Sequence, residues 1–406
     1  MTTQSRITRV VLKNYKSIAA CDVPLGPLTI LVGPNGAGKS NFLDAMRFCR
    51  DALRTPLDEV FAKRNTNLQH LRHRSPANPE SLAMRFDFAL DGGQHGYYSL
   101  EIGPQSPRGF EVRRESCVIR GPDGEPKHSF NIQSGIQSGA FYSMRTALLP
   151  ASSANRLYLV NASGLSEFQP VYELLSGMEF YTPDPKVMRN ELDKTGSADI
   201  LAAEGENTAS VLDRLTHTQE ATKARIDQYL QAIVPGLERV GASEFRSYKL
   251  LNFHFSVAGS PKPYEFLASA MSDGTLRALA LLVALFQTAG SDARVSVIGI
   301  EEPEAGLHPA ATAVLLDAMR EASESVQVVV TSHSTDLLDN SEIPSDAIRA
   351  VSWENGQTEI LGLDNASRSA LHDRLYTAGE LLRMGGLTLA PRKPSADAES
   401  EVQLFQ

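Results

Sequence analysis

The sequence predicts an α/β fold with a mixed central sheet, an antiparallel β subdomain and an inserted helical lobe. Three observations predict it. An apolar strand at residues 28–32 runs into a glycine-rich loop and then an amphipathic helix over about 39–53. β-rich segments follow at 81–90, 97–102 and 109–119, with Gly92-Gly93 and Gly103-Pro104 as turns. Late in the chain, apolar β-branched strands at 295–300 and 326–331 end in polar residues, with a helix between them.

Size and composition agree with this. A chain of 406 residues, 42% hydrophobic, can bury a large core and divide into lobes. Its charged fraction of 21% is ordinary for a folded protein, so most of the chain is expected to be folded rather than disordered. A net charge of -9 argues against indiscriminate coating of nucleic acid and leaves room for a local basic patch. Cys21, Cys49 and Cys117 lie far apart with no CxxC pair, as expected of buried thiols in a reduced, cytoplasmic protein. The N-terminus lacks a signal-peptide apolar stretch, and the longest apolar run, 279–286, is too short to cross a bilayer. The expectation is a soluble protein with no membrane partner.

Along the chain, residues 7–12 read as a first strand beside 28–32, and residues 1–144 form an N-terminal lobe that includes the antiparallel segments. Residues 145–260 read as mainly helical, with apolar steps of three and four at 204–215 and 222–233. Pro235-Gly236 stops the second helix, and 250–257 reads as a strand. Residues 261–389 make a C-terminal lobe, and 390–406, rich in Pro, Ser, Ala and acid, a loose tail. There is no internal repeat and no long heptad run.

The loop Gly33-Pro34-Asn35-Gly36-Ala37-Gly38-Lys39-Ser40 satisfies GxxxxGK[ST] in full, in the strand–loop–helix context the motif needs. Glycines let backbone N–H groups wrap phosphates, and a helix N-terminus adds its positive end. Asn35, Gly36, Ala37, Gly38, Lys39, Ser40 and Asn41 are therefore candidate nucleotide-binding residues. Lys39 is expected to reach the β- and γ-phosphates of ATP and Ser40 to ligate Mg²⁺. The strand at 295–300 ends in Glu301-Glu302-Pro303-Glu304, which has the form of a Walker B motif. Glu301 is assigned to the metal and Glu302 to the general base that orients the attacking water. A solvated acidic turn is the blander reading of that run, and the intact glycine loop weighs against it.

His333 closes the strand 326–331 through Ser332, a place from which an imidazole can sense a γ-phosphate. Met271-Ser272-Asp273-Gly274-Thr275 precedes an apolar helix at 276–288, so Ser272, Gly274 and the helix start offer a second anion-binding surface. Alone this is an ordinary helix cap. The order in which these motifs occur gives it weight: glycine loop, this cap, acidic strand end, histidine.

With these residues in view, the chain resembles the RecF/SMC-like branch of the ABC ATPases, and within it the short ATPases related to OLD-family proteins. The likeness rests on Leu12-Lys13-Asn14-Tyr15-Lys16-Ser17-Ile18, the loop from Gly33 to Asn41, and the segments 272–277, 301–309 and 331–333. Segments 157–164, 233–236 and 376–386 add to it, so it spans nearly the whole chain. The resemblance implies an ABC-type P-loop ATPase head that works as a homodimer. Two ATPs would be sandwiched head to tail, with Ser272 and Gly274 acting in trans and residues 305–308 as the D-loop. Larger assemblies of closed dimers remain open. Two departures stand out. The signature reads Ser-Asp-Gly-Thr rather than the transporter Ser-Gly-Gly-Gln, and Glu301 replaces the usual aspartate, which leaves the division of roles between Glu301 and Glu302 open.

A glutamine that completes the metal site is harder to place. Gln69 follows the first helix, and Gln94 and Gln105 compete with it. The basic run Lys63, Arg64, His70, Arg72, His73, Arg74 could bind a nucleic-acid backbone or an acidic partner, or be a solvated loop. OLD nucleases carry a Toprim domain after the switch histidine, whereas residues 334–406 show no convincing acidic metal cluster. The expectation is an ATPase that controls a separately encoded effector in anti-phage defence. DNA is a possible ligand under a RecF-like repair reading. The signature and the large middle insertion argue against a transporter subunit.

Overall fold

The structure, a computed structural model, describes residues 5–75, 80–105, 109–133, 136–137, 155–190, 192–193, 199–245, 248–260, 262–288, 295–340, 342–384 and 390. The chain forms two compact units. One comprises Met1–Met178, Pro344–Asp373 and Gly385–Gln406, the other Glu179–Ile343 and Arg374–Met384. The tail expected at 390–406 lies, apart from Ala390, outside the described residues.

The first unit opens with β1 (Arg6–Tyr15), β2 (Ile18–Pro24) and β3 (Leu28–Val32), then α1 (Lys39–Arg54), α2 (Leu57–Lys63) and α3 (Leu68–Leu71). Next come β4 (Leu82–Ala89), β5 (His95–Pro104), β6 (Phe110–Arg120), β7 (Pro126–Gln133), β8 (Ile136–Gln137), α4 (Tyr158–Ala162) and α5 (Gln169–Ser176). The first sheet has the order β2-β1-β4-β5-β6-β7-β8 and is antiparallel at every described pairing. Alternate burial along β4 puts Met84, Phe86 and Phe88 in the core, as a half-buried strand requires. Gly103-Pro104 does not turn the chain. Both residues remain in β5, paired with Glu111 and Phe110, because the antiparallel ladder with β6 runs past them.

Helix α1 is amphipathic and buries Phe42, Leu43, Met46, Phe48, Cys49 and Leu53. Its polar side is anchored too. Asp44 accepts bonds from the Tyr15 hydroxyl (2.6 Å) and from Arg64 Nη1 (2.7 Å), and pairs with Lys16 at 2.6 Å. Burial opposes its ionisation, but Arg64 and Lys16 hold its carboxyl below the usual range. At the start of α4, the buried Glu115 of β6 accepts the Tyr158 N–H (2.6 Å), the Leu159 N–H (2.8 Å) and the Tyr98 hydroxyl (2.9 Å). All three cysteines are buried, and burial pushes their thiol pKa values up.

The second unit contains β9 (Met178–Tyr181) from its second residue on, then α6 (Pro185–Met188), β10 (Leu192–Asp193), α7 (Thr208–Thr218) and α8 (Glu220–Ile233). It continues through β11 (Leu237–Phe245), β12 (Tyr248–Phe255) and β13 (Tyr264–Leu267) to α9 (Asp273–Phe286), β14 (Val297–Glu301), α10 (Pro309–Ala322), β15 (Gln327–Ser332) and α11 (Thr335–Leu338). The helices expected at 204–215 and 222–233 correspond to α7 and α8. The strand β11 had no clear pattern in the sequence; it forms an antiparallel ladder with β12. Strands β14 and β15 are parallel, and α9 is buried on nearly every side from Leu276 to Phe286. Such all-round burial explains why its sequence is an apolar run rather than a stripe.

The chain returns to the first unit with β16 (Ile348–Glu354), β17 (Gln357–Gly362) and α12 (Asn365–His372). β16 is parallel to β3 and antiparallel to β17, so the sheet is mixed. Last comes α13 (Ala378–Arg383), packed in the second unit against α11. Gly379 allows this, since a Cβ there would meet Thr335 O at 2.2 Å. Among the described residues no helix is long and apolar enough to cross a membrane.

Candidate functional site

In the first unit, fully buried β3 delivers the chain into the glycine loop. Gly33 lies so close to β16 that a Cβ would fall 2.0 Å from Val351 O. Gly36 and Gly38 have φ of 78° and 100°, a left-handed region that favours glycine. The Cβ position of Gly36 faces open space, whereas at Gly38 a side chain would collide with Thr358 Oγ1 (2.0 Å) and Ser17 Oγ (2.7 Å). Thr358 Oγ1 donates to Ala37 O (2.8 Å) and shares a 2.7 Å bond with Ser17 Oγ, to which the Asn41 amide donates at 2.6 Å. The loop is thus held from behind by Ser17, Asn41 and Thr358, and its open side is left to a ligand.

Lys39 is only 5% exposed, and its ammonium donates to Gly33 O (2.7 Å) and Pro34 O (2.9 Å). Gly38 gives the 16-residue helix α1 no side-chain cap. An uncapped helix start, open space at Gly36 and a buried ammonium suit a polyphosphate. Asn35, Gly36 and Ser40 are exposed at this end, and Ala37 is buried.

The second unit carries the other motifs. Glu301 ends β14 opposite Thr331 of β15. Glu302 has φ 46°, and its N–H donates to Thr331 O at 2.9 Å. Its carboxylate Oε1 lies 3.1 Å from His333 Nδ1, so the structure brings the expected base and switch histidine together. Glu304 Oε1 accepts the Ser332 hydroxyl (2.6 Å) and the N–H groups of His333 and Ser334 (3.3 Å each). Ser332 and Thr331 are buried, while His333 reaches solvent. Oxygen donors such as Ser40 and Glu301 suit Mg²⁺ chemically.

Ser272 caps α9, its hydroxyl accepting the Thr275 N–H at 3.1 Å. Gly274 packs onto the loop after Glu302: a Cβ there would lie 2.5 Å from Gly306 O. Arg277 Nη1 donates to Ala305 O (3.2 Å) beside this contact. The surface at Ser272 and the loop after Glu302 are therefore locked together within one unit.

The basic run divides in two. Arg64 is committed to Asp44 and Asp51, and Lys63 pairs with Glu59 at 3.6 Å. His70, Arg72, His73 and Arg74 instead line, with Gln69, a cavity of about 380 Å³ in the first unit. Gln69 is exposed on α3, within this basic ring. Gln94 and Gln105 flank β5 in the antiparallel sheet. Two side chains at the site went unnoticed in the sequence. Thr358 sits on a strand far along the chain with no motif around it. Glu304 was visible within the acidic run but had no role of its own.

A phosphate-type loop with a buried lysine, a carboxylate pair at a strand end and a histidine at the end of the neighbouring strand define a P-loop ATPase of the ABC/SMC type. Residues 28–339 match the family described as "AAA domain, putative AbiEii toxin, Type IV TA system", and the chain belongs to that family. A stretch of 124 residues is 27% identical to structural maintenance of chromosomes protein 1 of Schizosaccharomyces pombe, covering 27% of this chain and 10% of that protein. Forty residues are 50% identical to the OLD nuclease of Thermus scotoductus, covering 10% of this chain and 8% of that one. The chain thus matches a tenth or less of the length of these curated relatives.

Among solved structures, an Smc head bound to the C-winged helix domain of ScpA is similar over 89% of this chain and 99% of its own, with a TM-score of 0.54 and 17% identity. The Smc head with an extended coiled coil bound to the C-terminal domain of ScpA, from Pyrococcus furiosus, gives 92%, 100%, 0.54 and 14%. At such identities the likeness shows the fold, that of an SMC-type α/β head with mixed and antiparallel sheets.

Proposed function

We propose that this ATPase is a dimerisation switch whose nucleotide state controls a separately encoded effector, of nuclease type, in bacterial defence against phage. Two copies pair head to tail. ATP lies between residues 35–41 of one copy and Ser272 and Gly274 of the other. Lys39 binds the β- and γ-phosphates, Glu302 orients the attacking water and takes its proton, and His333 reads the γ-phosphate. Ser40 and Glu301, with Gln69 as a further candidate, would hold Mg²⁺, which when bound neutralises charge on the phosphates.

The observation that carries this reading is the seat of Gly274 on Gly306. A phosphate from a second copy that lands on Ser272 would press on the same loop that leads back to Glu302, so pairing and hydrolysis can be coupled. The test is Glu302→Gln in saturating ATP and Mg²⁺. Light scattering should show a stable dimer and turnover should collapse. A monomer with parental turnover would sink both the site and the sandwich. Co-purification with the product of a neighbouring gene tests the effector.

A second reading, a RecF-like DNA-binding ATPase in repair, is favoured by one observation: the cavity lined by His70, Arg72, His73 and Arg74. It requires DNA affinity that falls steeply with salt and depends on ATP.

A further inference from the structure

We infer that Glu304 is a positioning residue for hydrolysis: it anchors the loop that presents His333 to Glu302. The inference rests on the roles proposed above for those two residues.

Past Ser332, the last residue of β15, the chain runs through His333 and Ser334 into the one-turn helix α11. Backbone N–H groups there have no strand partner and need an acceptor. One carboxylate oxygen supplies it. Glu304 Oε1 gathers the Ser332 hydroxyl and the N–H groups of His333 and Ser334, and Ser332 Oγ also accepts the Ser334 N–H at 3.0 Å. With its main chain pinned at two successive residues, His333 holds Nδ1 3.1 Å from Glu302 Oε1 and 3.9 Å from Glu304 Oε1.

The arrangement is a poor one for stability alone. The Glu304 side chain is 9% exposed, and its Oε2 is buried with no hydrogen-bond partner among the described residues. Burying a half-satisfied carboxylate is unfavourable, and an apolar side chain would fill the space without that penalty. What only an acceptor can supply is the three-donor anchor. Glu304 also opens the D-loop turn, where its carbonyl accepts the Leu307 N–H at 3.0 Å. Through that turn it joins the Gly274–Gly306 contact to the switch loop.

The experiment compares Glu304→Ala, Glu304→Gln and Ser332→Ala in the full chain for steady-state ATP turnover and for ATP-binding stoichiometry. Removing the anchor misplaces a group that must meet the reacting phosphate, so Glu304→Ala should lose about 10- to 100-fold in kcat with KM within about twofold. The amide oxygen of Gln can take the three donors, so Glu304→Gln should recover at least about a third of parental kcat. Comparable loss in Ala and Gln, a KM that rises in step, or an Ala variant at parental rate would each overturn the inference. If Glu304→Ala does not fold, Ser332→Ala decides: a several-fold loss of kcat at constant KM supports the anchor, and an unchanged kcat removes it. Glu302→Gln and His333→Ala are run alongside. Parental turnover in these sinks the underlying reading, whereas their loss with an active Glu304→Ala sinks only the anchor.

Discussion

Glu302 meets His333 at 3.1 Å from a backbone bent into the left-handed region, with φ 46°. A carboxylate side chain tolerates that conformation at a cost of about 1–2 kcal/mol, and the Glu302 N–H bond to Thr331 O holds it there. The strain therefore sits at the residue proposed as the base. Glu302→Gly and Glu302→Ala should both lower ATP turnover by about 10²- to 10⁴-fold. In urea unfolding the Gly variant should be the more stable by about 1 kcal/mol. Equal stability of the two variants would mean that the native backbone stores no strain at this position.

Behind the phosphate loop, Thr358 gives its hydroxyl to Ala37 O and stands where a Gly38 side chain would go. Thr358→Val keeps the shape and removes the donor, leaving a buried carbonyl and Ser17 with one partner fewer. At about 1 kcal/mol for such a bond, ATP affinity should fall roughly fivefold, as titration calorimetry would show. Gly38→Ala should be far worse, because there the collision is added to the φ of 100°. Affinity unchanged in Thr358→Val would show that the loop holds its form without β17.

These two sites also show how much the sequence disclosed. The glycine loop, Glu301, Glu302 and His333 stood out as candidates because phosphate chemistry needs particular residue types at fixed spacing next to a strand. Strands β4, β5 and β6 were legible from their β-rich segments. Thr358 was not, since a single threonine in a strand carries no local signal. It matters only because β17 brings it to Ala37 across most of the chain. Gly103-Pro104 misled because turn propensity is local, whereas the ladder between β5 and β6 that overrides it is not. Gly274 was read as an anion-binding glycine, and only the fold shows the Gly306 backbone pressed against it.

That contact gives a sharp test. Gly274→Ala puts a methyl 2.5 Å from Gly306 O, closer than real contacts allow, so α9 or the D-loop must shift. The glycine loop lies in the other unit, so ATP binding to monomers should be retained. Turnover should fall by at least about tenfold, and ATP should no longer drive pairing of a Glu302→Gln, Gly274→Ala double variant. Light scattering and an ATPase assay on the same samples check both. Full pairing by the double variant would separate the signature surface from dimerisation. By contrast, Ser272→Ala removes a cap and should cost about 1 kcal/mol of stability in addition to any effect on turnover.

Glu115 offers a prediction in pH. Burial raises its carboxyl from 4.5 to about 7, against the opposing bonds from the Tyr158 and Leu159 N–H groups and the Tyr98 hydroxyl. Between these two values the folded chain holds a proton that the unfolded chain releases. The stability this group contributes is therefore complete below about pH 4.5 and is lost as pH rises through about 7, a change on the order of 3 kcal/mol. Glu115→Gln does not titrate. Its amide cannot replace both acceptor oxygens, so the sign of the stability difference at any single pH is not fixed, but its slope is. The Tm of the Gln variant relative to the parent should climb steadily from pH 5 to pH 8 and level off above it, while every other titrating group cancels in the comparison. A difference that stays constant over that range would mean that Glu115 is already ionised at pH 5, and that its three donors outweigh burial after all.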